Sequence, residues 1–234
     1  MRTPLTLAVA QPPCVPGDVA ANALAHAAAV RAAAARLVLF PELSLTGYDL
    51  DLPTVDPADP RLAPLVLACA DAGAIALAGA PVGDDAGAAY LGMLVVDGAG
   101  ARVAYRKMFL GGAEPERFVA GREPTVLALD GWRLGLAICK DTGVPEHAAR
   151  TAALGVDGYL AGVVEAPADA AVPEQRARRI AADHGIWVAM ASFAGPAGPA
   201  YPRTAGRSGV WDPDGTPVAR AGAGAGELVR AGLR

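Results

Sequence analysis

The amino-acid sequence predicts a layered α/β fold. Short apolar runs of β type alternate along the chain with longer, alanine-rich runs of helical type. Two pairs of apolar runs are joined by short glycine-containing turns, which are typical of hairpins. Of the 234 residues, 53% are hydrophobic and 19% are charged, so a sizeable core can be buried. Because no internal repeat or long linker interrupts the pattern, we expect residues 1–234 to form one domain.

The first half of the chain contains five predicted strands and two predicted helices. The strands are residues 5–10, 36–40, 74–80, 90–97 and 101–105, and the helices are residues 18–35 and 61–72. Gly73 is expected to end the second helix, because glycine adopts the left-handed conformation that closes many helices. The fourth and fifth strands are expected to pair through the Gly-Ala-Gly turn that separates them.

The second half of the chain continues the alternation. The predicted strands are residues 125–129, 132–139, 158–164, 187–193, 208–211 and 217–219, and the predicted helices are residues 145–154 and 173–184. An Asp-Gly turn at residues 130–131 predicts the second hairpin. Two loops rich in glycine and proline, residues 113–123 and 195–206, are of the kind that often carries function.

Composition excludes several classes of function. The net charge of −4 provides no positive surface for nucleic acid or an anionic membrane. The three cysteines, Cys14, Cys69 and Cys139, lack the spacing of a disulfide framework or a zinc site, and the histidines show no metal-ligand spacing. The first apolar run is too short for a secretion signal, and the alanine-rich residues 20–35 are too short and too interrupted by polar residues to span a bilayer. We therefore expect a soluble, cytoplasmic protein without a metal.

Three segments carry residues suited to catalysis. Glu42 follows a buried strand, Lys107 ends a hairpin strand, and Cys139 ends an apolar strand that runs into a helix. A cysteine at such a sharp strand-to-helix turn stands clear of the backbone beside main-chain N–H groups. Taken singly, Glu42 and Lys107 could equally be surface charges, and a lone cysteine commonly packs as a small apolar residue. We assign that packing role to Cys14 and Cys69.

The joint pattern resembles the nitrilase superfamily of carbon–nitrogen hydrolases. The matching motifs are FPE ending at Glu42, YRK ending at Lys107 and ICKD around Cys139, in the order and at separations similar to those of the family. The resemblance implies an α-β-β-α sandwich that pairs across a helix face into an α-β-β-α-α-β-β-α homodimer. It also implies a Glu–Lys–Cys triad and no metal or organic cofactor.

The roles implied for the triad are chemically consistent. Glu42 removes the proton of the Cys139 thiol, the thiolate attacks the substrate carbon, and a thioester forms. Lys107 and the backbone N–H of Lys140 are the expected partners of the oxyanion.

The family also places an extra carboxylate in the loop between the lysine and the cysteine. Its spacing to Phe118 and Gly121 selects Glu114 over Glu116. Glu114 would offset the cost of burying Lys107. Glu116, next to Arg117, is expected to form an exposed ion pair of little energetic value.

Three further residues are expected to bind substrate. Tyr48 follows the Glu42 segment, although a packing role explains it equally well, and Val164 lies in residues 163–165, which can form the pocket floor. Lys140 stands where true nitrilases carry a glutamate, which favours an amide over a nitrile.

The leading function is hydrolysis of a small amide or carbamoyl compound. Acyl transfer from the same thioester, or a non-catalytic scaffold, are the alternatives. A nucleotide-binding domain is disfavoured, because no phosphate-binding glycine motif follows a strand.

Overall fold

The computed structural model describes residues 3–234, which form two facing sheets covered by helices on their outer sides. The strands are β1 (Leu5–Ala10), β2 (Leu37–Leu39), β3 (Ile75–Gly83), β4 (Ala89–Asp97), β5 (Gly100–Arg106), β6 (Val126–Leu129), β7 (Trp132–Ile138), β8 (Gly158–Val163), β9 (Trp187–Ser192), β10 (Ala194–Gly195), β11 (Thr204–Ala205), β12 (Gly209–Trp211), β13 (Pro217–Arg220) and β14 (Leu228–Leu233). The α-helices are α1 (Val19–Ala33), α2 (Ala63–Ala72), α3 (Pro145–Ala152) and α4 (Val172–His184).

Each large sheet has six strands and a parallel centre. The first has the order β14-β1-β2-β3-β4-β5 and the second has the order β13-β12-β9-β8-β7-β6. β1, β2 and β3 run parallel in the first sheet, and β7, β8 and β9 run parallel in the second. The carboxyl ends of parallel strands are where open α/β sheets carry their ligand-binding residues. Glu42 and Cys139 both follow such ends.

Three apolar layers hold the sandwich together. Leucines of the first sheet such as Leu39 and Leu77 pack between the sheets against Leu136 and Leu160 of the second. A second cluster joins α1 and α2 to the outer face of the first sheet, and a third joins α3 and α4 to the outer face of the second. The predicted α-β-β-α order is therefore confirmed. The pairing of two such sandwiches into a dimer stays a prediction.

Local capping explains where the first two helices begin and end. Asp18 lies just before α1, and its side chain accepts a hydrogen bond from the backbone N of Ala21 at 2.9 Å. α2 ends at Gly73, which adopts the predicted left-handed conformation with φ of +58°. Among residues 3–234, no helix has the length and apolar content needed to cross a bilayer.

The last strand was not anticipated from the sequence. β14 pairs antiparallel with β1, with Leu5 opposite Leu233, and it forms one edge of the first sheet. Its residues are mostly half-exposed or exposed, so they lack the continuous apolar run that identifies a buried strand. The partner β1, almost entirely buried, shows that run clearly.

Candidate active site

Lys107 is the centre of the buried polar cluster. It follows β5 directly, and its Nζ lies 2.7 Å from Glu42 Oε1 and 2.7 Å from Glu114 Oε1. These three side chains are each at most 3% exposed. A buried charge is tolerated only when it is paired and hydrogen-bonded, so the two carboxylates are what allow this ammonium group to stay inside.

The electrostatics of Lys107 follow from this pairing. Burial by itself lowers the pKa of Lys107, but the charges of Glu42, Cys139 and Glu114 outweigh it and raise the pKa above its usual value. The group therefore stays a cation throughout the physiological range. A permanent cation beside a thiol can stabilise the negative charge that develops when the thiol attacks.

Two glycines fix the backbone that carries Glu42. A Cβ atom at Gly79, in β3, would lie 2.3 Å from the backbone N of Leu43. A Cβ atom at Gly162, in β8, would lie 2.8 Å from the backbone N of Glu42. The segment after β2 therefore packs closely between the two sheets. A larger residue at position 79 or 162 would clash with its backbone and displace it.

Helix α1 supports the same loop from the other side. His26 Nε2 lies 2.8 Å from Ser44 Oγ, and Asn22 Nδ2 donates to the Leu45 carbonyl at 3.0 Å. Burial lowers the pKa of His26 to about 4, so its ring is neutral at physiological pH. Sequence reasoning assigned no role to His26, because nothing in the sequence shows that it faces Ser44.

Glu42 differs from an exposed glutamate in its pKa and in its hydrogen bonding. Burial raises its pKa to about 7, although Lys107 opposes that shift. Its second oxygen, Oε2, is buried and has no hydrogen-bond partner within residues 3–234. A carboxylate with a pKa close to neutrality and a free oxygen is suited to act first as a base and then as an acid.

Cys139 lies at a strained turn at the end of β7. Its φ of +41° is in the left-handed region that non-glycine residues seldom adopt, and a short 3-10 helix, Cys139–Gly143, begins at this residue. The thiol Sγ lies 3.6 Å from the carbonyl oxygen of Val164. Burial and the charge of Glu42 raise the pKa of Cys139, while Lys107 opposes them, so the thiol depends on a base for activation.

A buried side-chain network holds this turn. Asp141 Oδ2 accepts from the backbone N of Ile138 at 2.9 Å and from the Tyr105 hydroxyl at 2.7 Å, while Oδ1 accepts from the backbone N of Phe109 at 2.9 Å. His147 Nε2 lies 2.8 Å from the same Tyr105 hydroxyl. The cysteine turn is thereby joined to the segment that carries Lys107. Sequence reasoning placed Asp141 in the motif but found no role for His147.

Glu114, not Glu116, lies against Lys107. Besides the lysine, Glu114 Oε1 accepts from the Tyr48 hydroxyl at 2.7 Å, and Oε2 accepts from the backbone N of Gly111 at 2.8 Å. Glu116 is exposed. The neighbouring Arg117 donates to the Leu52 carbonyl and lies over the Phe118 ring, so the structure does not show the expected Glu116–Arg117 pair.

The three predicted substrate-binding residues are placed differently. Tyr48 and Val164 adjoin the cluster through Glu114 and Cys139 respectively. The Lys140 side chain is exposed, and its Nζ donates to the Leu110 carbonyl at 2.8 Å, outside the buried cluster. If Lys140 contributes, its backbone is better placed than its side chain, because it directly follows the cysteine.

Sequence reasoning missed Tyr201, which lies beside Cys139, and Arg176, which lies next to the cysteine turn. Tyr201 packs edge-on against Tyr48 with ring centroids 4.8 Å apart, and both belong to an apolar cluster with Cys139. Arg176, on α4, pairs with Glu165 at 3.2 Å. The only signal for Tyr201 was its place in the glycine- and proline-rich loop of residues 195–206. Arg176 gave none, since it lies within an ordinary charged helix.

The buried cluster borders several residues that are partly exposed. Glu42, Lys107 and Glu114 are buried, whereas Cys139 is partly exposed. Three other partly exposed residues of this region are Tyr48, Glu165 and Tyr201. Within residues 3–234, no group of three or more His, Cys, Asp or Glu side chains is placed to hold a metal ion.

Comparison with known proteins relates this arrangement to one family. The model of the family described as carbon-nitrogen hydrolase matches residues 6–233. The chain is 33% identical over 230 residues to the protein described as "Hydrolase in pqqF 5'region" from Pseudomonas protegens, which covers 93% of this chain and 79% of that protein.

Solved structures of related proteins share the fold. The NitN amidase of Nesterenkonia sp. AN1 has a TM-score of 0.87 at 26% identity, covering 98% of this chain and 93% of that one. A mutant of this amidase with the acetamide moiety of fluoroacetamide on its active site cysteine has a TM-score of 0.86 at 27% identity, covering 98% and 90%. Nit3 of Saccharomyces cerevisiae, from branch 10 of the nitrilase superfamily, has a TM-score of 0.87 at 24% identity, covering 98% and 90%.

Because the family model spans nearly the whole chain, and a relative of 33% identity covers 93% of it, this protein belongs to the carbon–nitrogen hydrolase family of the nitrilase superfamily and is a carbon–nitrogen hydrolase.

Proposed function

We propose that this enzyme hydrolyses short amides through a thioester on Cys139. The observation that carries the proposal is the closed cluster of Glu42, Lys107 and Glu114 beside the Cys139 thiol, which lies at a strained turn. The amidase relative whose active site cysteine carries an acetamide moiety supports both the nucleophile and the small size of the substrate. No step in this chemistry needs a metal or an organic cofactor.

Glu42 acts as the base in the first step. Burial raises the pKa of Glu42 toward neutrality, and its carboxylate form takes the proton of the Cys139 thiol. The sulfur then forms a bond to the amide carbon, and the electron pair of the C=O bond moves onto oxygen. The proton held by Glu42 is passed to the leaving nitrogen as the C–N bond breaks, which releases ammonia and leaves the thioester.

Lys107 stabilises the oxyanion formed in this step. It is a fixed cation, and the backbone N–H of Lys140, next to the nucleophile, is the second donor. Donors that are held in place before reaction need no rearrangement when charge develops, and losing one typically lowers the rate on the order of a hundred- to a thousandfold. Water then attacks the thioester with Glu42 again as base, and the carboxylic acid is released.

Glu114 keeps Lys107 charged and in place. It accepts from the lysine, from Tyr48 and from the backbone of Gly111, so it joins three parts of the pocket. The Lys107 ammonium group is shared by two carboxylates. Glu42 is therefore bound less tightly to Lys107 than it would be if it were the only counter-ion. That division of roles leaves Glu42 available for proton transfer.

The assembly and location of the enzyme are also proposals. We propose a cytoplasmic homodimer paired through a helical face, as the family resemblance implies. The three free thiols, Cys14, Cys69 and Cys139, suit a reducing compartment. Sedimentation of the enzyme in solution tests the dimer. A molecular mass equal to that of two chains would support it, and a mass equal to that of one chain would contradict it.

Replacing the nucleophile tests the proposed reaction. We expect Cys139→Ala to abolish ammonia release from primary amides, ω-amides and carbamoyl compounds, because Cys139 is the thiol that acts on Glu42 and Lys107. Cys69→Ala and Cys14→Ala are the matched controls, and both should retain most activity. Circular dichroism checks that each variant is folded.

Full activity in folded Cys139→Ala would contradict the proposed nucleophile. Wild-type enzyme that releases ammonia from none of these amides, but hydrolyses nitriles, would contradict the proposed substrate class. Chromatography of the carbon-containing product separates hydrolysis, which gives the free acid, from acyl transfer to an added amine.

Glu114 and Glu116 form a matched pair for the second prediction. Glu114→Gln removes one of the two charges that offset Lys107, so we expect kcat to fall on the order of a hundredfold and the melting temperature to decrease. Glu116→Gln changes an exposed side chain and should alter neither quantity measurably. Steady-state kinetics and thermal melts of both variants supply the comparison. The opposite ranking would show that Glu116 has the assigned role.

A further inference from the structure

The proposed reaction does not use an ion pair that lies near the nucleophile. Glu165 directly follows Val164, whose carbonyl oxygen lies 3.6 Å from Cys139 Sγ. Glu165 Oε1 lies 3.2 Å from Nη1 of Arg176, on α4. Both side chains are only partly buried, at 15% and 28% exposure, and the charge of Glu165 acts on Cys139 and Tyr201.

Arg176 is held firmly in this position. Its Nη1 also lies 3.4 Å from Thr142 Oγ1, and the Thr142 hydroxyl donates to the Cys139 carbonyl at 2.6 Å. A Cβ atom at residue 143 would lie 3.2 Å from the guanidinium, so Gly143 leaves room for it. The guanidinium is therefore held next to the cysteine turn with Glu165 as its counter-ion.

The formal charges of the site and of this neighbouring ion pair sum to a negative value when all three carboxylates are ionised. The cations are Lys107 and Arg176, and the carboxylates are Glu42, Glu114 and Glu165. Each cation already has a carboxylate partner at 3.2 Å or less. A substrate carboxylate entering here would meet cations that are already neutralised and a surplus of negative charge when Glu42 is ionised.

The remaining wall of the site is apolar and aromatic. Val164, Phe193 and Ala197 are buried together, and Tyr48 and Tyr201 pack against them next to Cys139. Such a surface can contact a short hydrocarbon chain, and aromatic faces also tolerate an ammonium group. This wall has no guanidinium group, and so it lacks the donor that binds a carboxylate through two parallel hydrogen bonds.

We infer that Glu165 sets the charge class of the substrate: the enzyme accepts neutral or cationic short amides and rejects amides that carry a carboxylate. The inference rests on the proposed amidase function and refines it. Like charges brought together at a desolvated site discriminate strongly between ligands, whereas one methylene group more or less discriminates weakly. Glu165 disfavours an anionic substrate in two ways. Its carboxylate repels the substrate carboxylate, and its ion pair with Arg176 keeps that guanidinium from binding the substrate.

Three amides of matched length test the inference. Butyramide is neutral, β-alaninamide carries an ammonium group, and succinamate carries a carboxylate at the end of the same three-carbon acyl segment. The readout is the ratio of kcat/KM for succinamate to kcat/KM for butyramide, measured by ammonia release. In the wild type we expect this ratio to be about 0.1 or less, as like-charge repulsion at a closed site requires.

Glu165→Gln should raise that ratio by about tenfold or more, because it removes the repelling charge and frees Arg176 for the substrate carboxylate. The same change should lower the corresponding ratio for β-alaninamide. Glu146→Gln, an exposed glutamate that pairs with Arg150 on α3, is the matched control and should leave both ratios unchanged. The wild-type ratios stand as a test even if Glu165→Gln does not fold.

The outcomes separate this inference from the function on which it rests. If the wild type hydrolyses butyramide but prefers succinamate, and Arg176→Gln removes the preference, then Glu165 is a displaceable counter-ion and the inference is wrong. Ratios that are equal in the wild type and in folded Glu165→Gln overturn it as well, while the amidase function stands. A wild type that hydrolyses none of the three amides overturns both.

Discussion

The burial of one ammonium group, that of Lys107, governs the construction of this site. A cation at 1% exposure requires nearby negative charge, and the two oxygens that supply it lie 2.7 Å away on Glu42 and Glu114. These carboxylates come from two loops that are distant in sequence. Each loop must therefore close over the lysine, which places two carboxylates, a cation and a thiol at the same end of the two sheets.

Close backbone packing and hydrogen bonds fix the charged cluster around Lys107 to the two sheets. Gly79 and Gly162, one from each sheet, leave space only for the bare backbone that carries Glu42. Asp141 ties the cysteine turn to Tyr105 and Phe109, which flank Lys107. The strained φ of Cys139 persists because these contacts over-determine it. The chemistry thus depends on packing between the two sheets as much as on the reacting groups.

Sequence reasoning reached most of the fold, together with the residues that the structure brings into one cluster. The resemblance to the nitrilase superfamily located Glu42, Lys107 and Cys139, because three short motifs match it in order, and each of these residues directly follows or lies near the end of a strand. The spacing to Phe118 selected Glu114. Partners that meet only through tertiary contacts stayed invisible: Arg176 lies in an ordinary charged helix, and the edge strand β14 lacks a continuous apolar run. Their positions depend on loop paths that short motifs do not encode.

The most direct test of this account is the identity of the covalent intermediate. Enzyme mixed with a short primary amide and quenched in acid within one turnover should gain the mass of the amide minus ammonia. Peptide mapping by mass spectrometry should then place that acyl group on Cys139 alone. An acyl group on Cys14 or Cys69, or turnover that continues in the folded Cys139→Ala variant with no covalent adduct, would contradict the thioester mechanism built around Lys107.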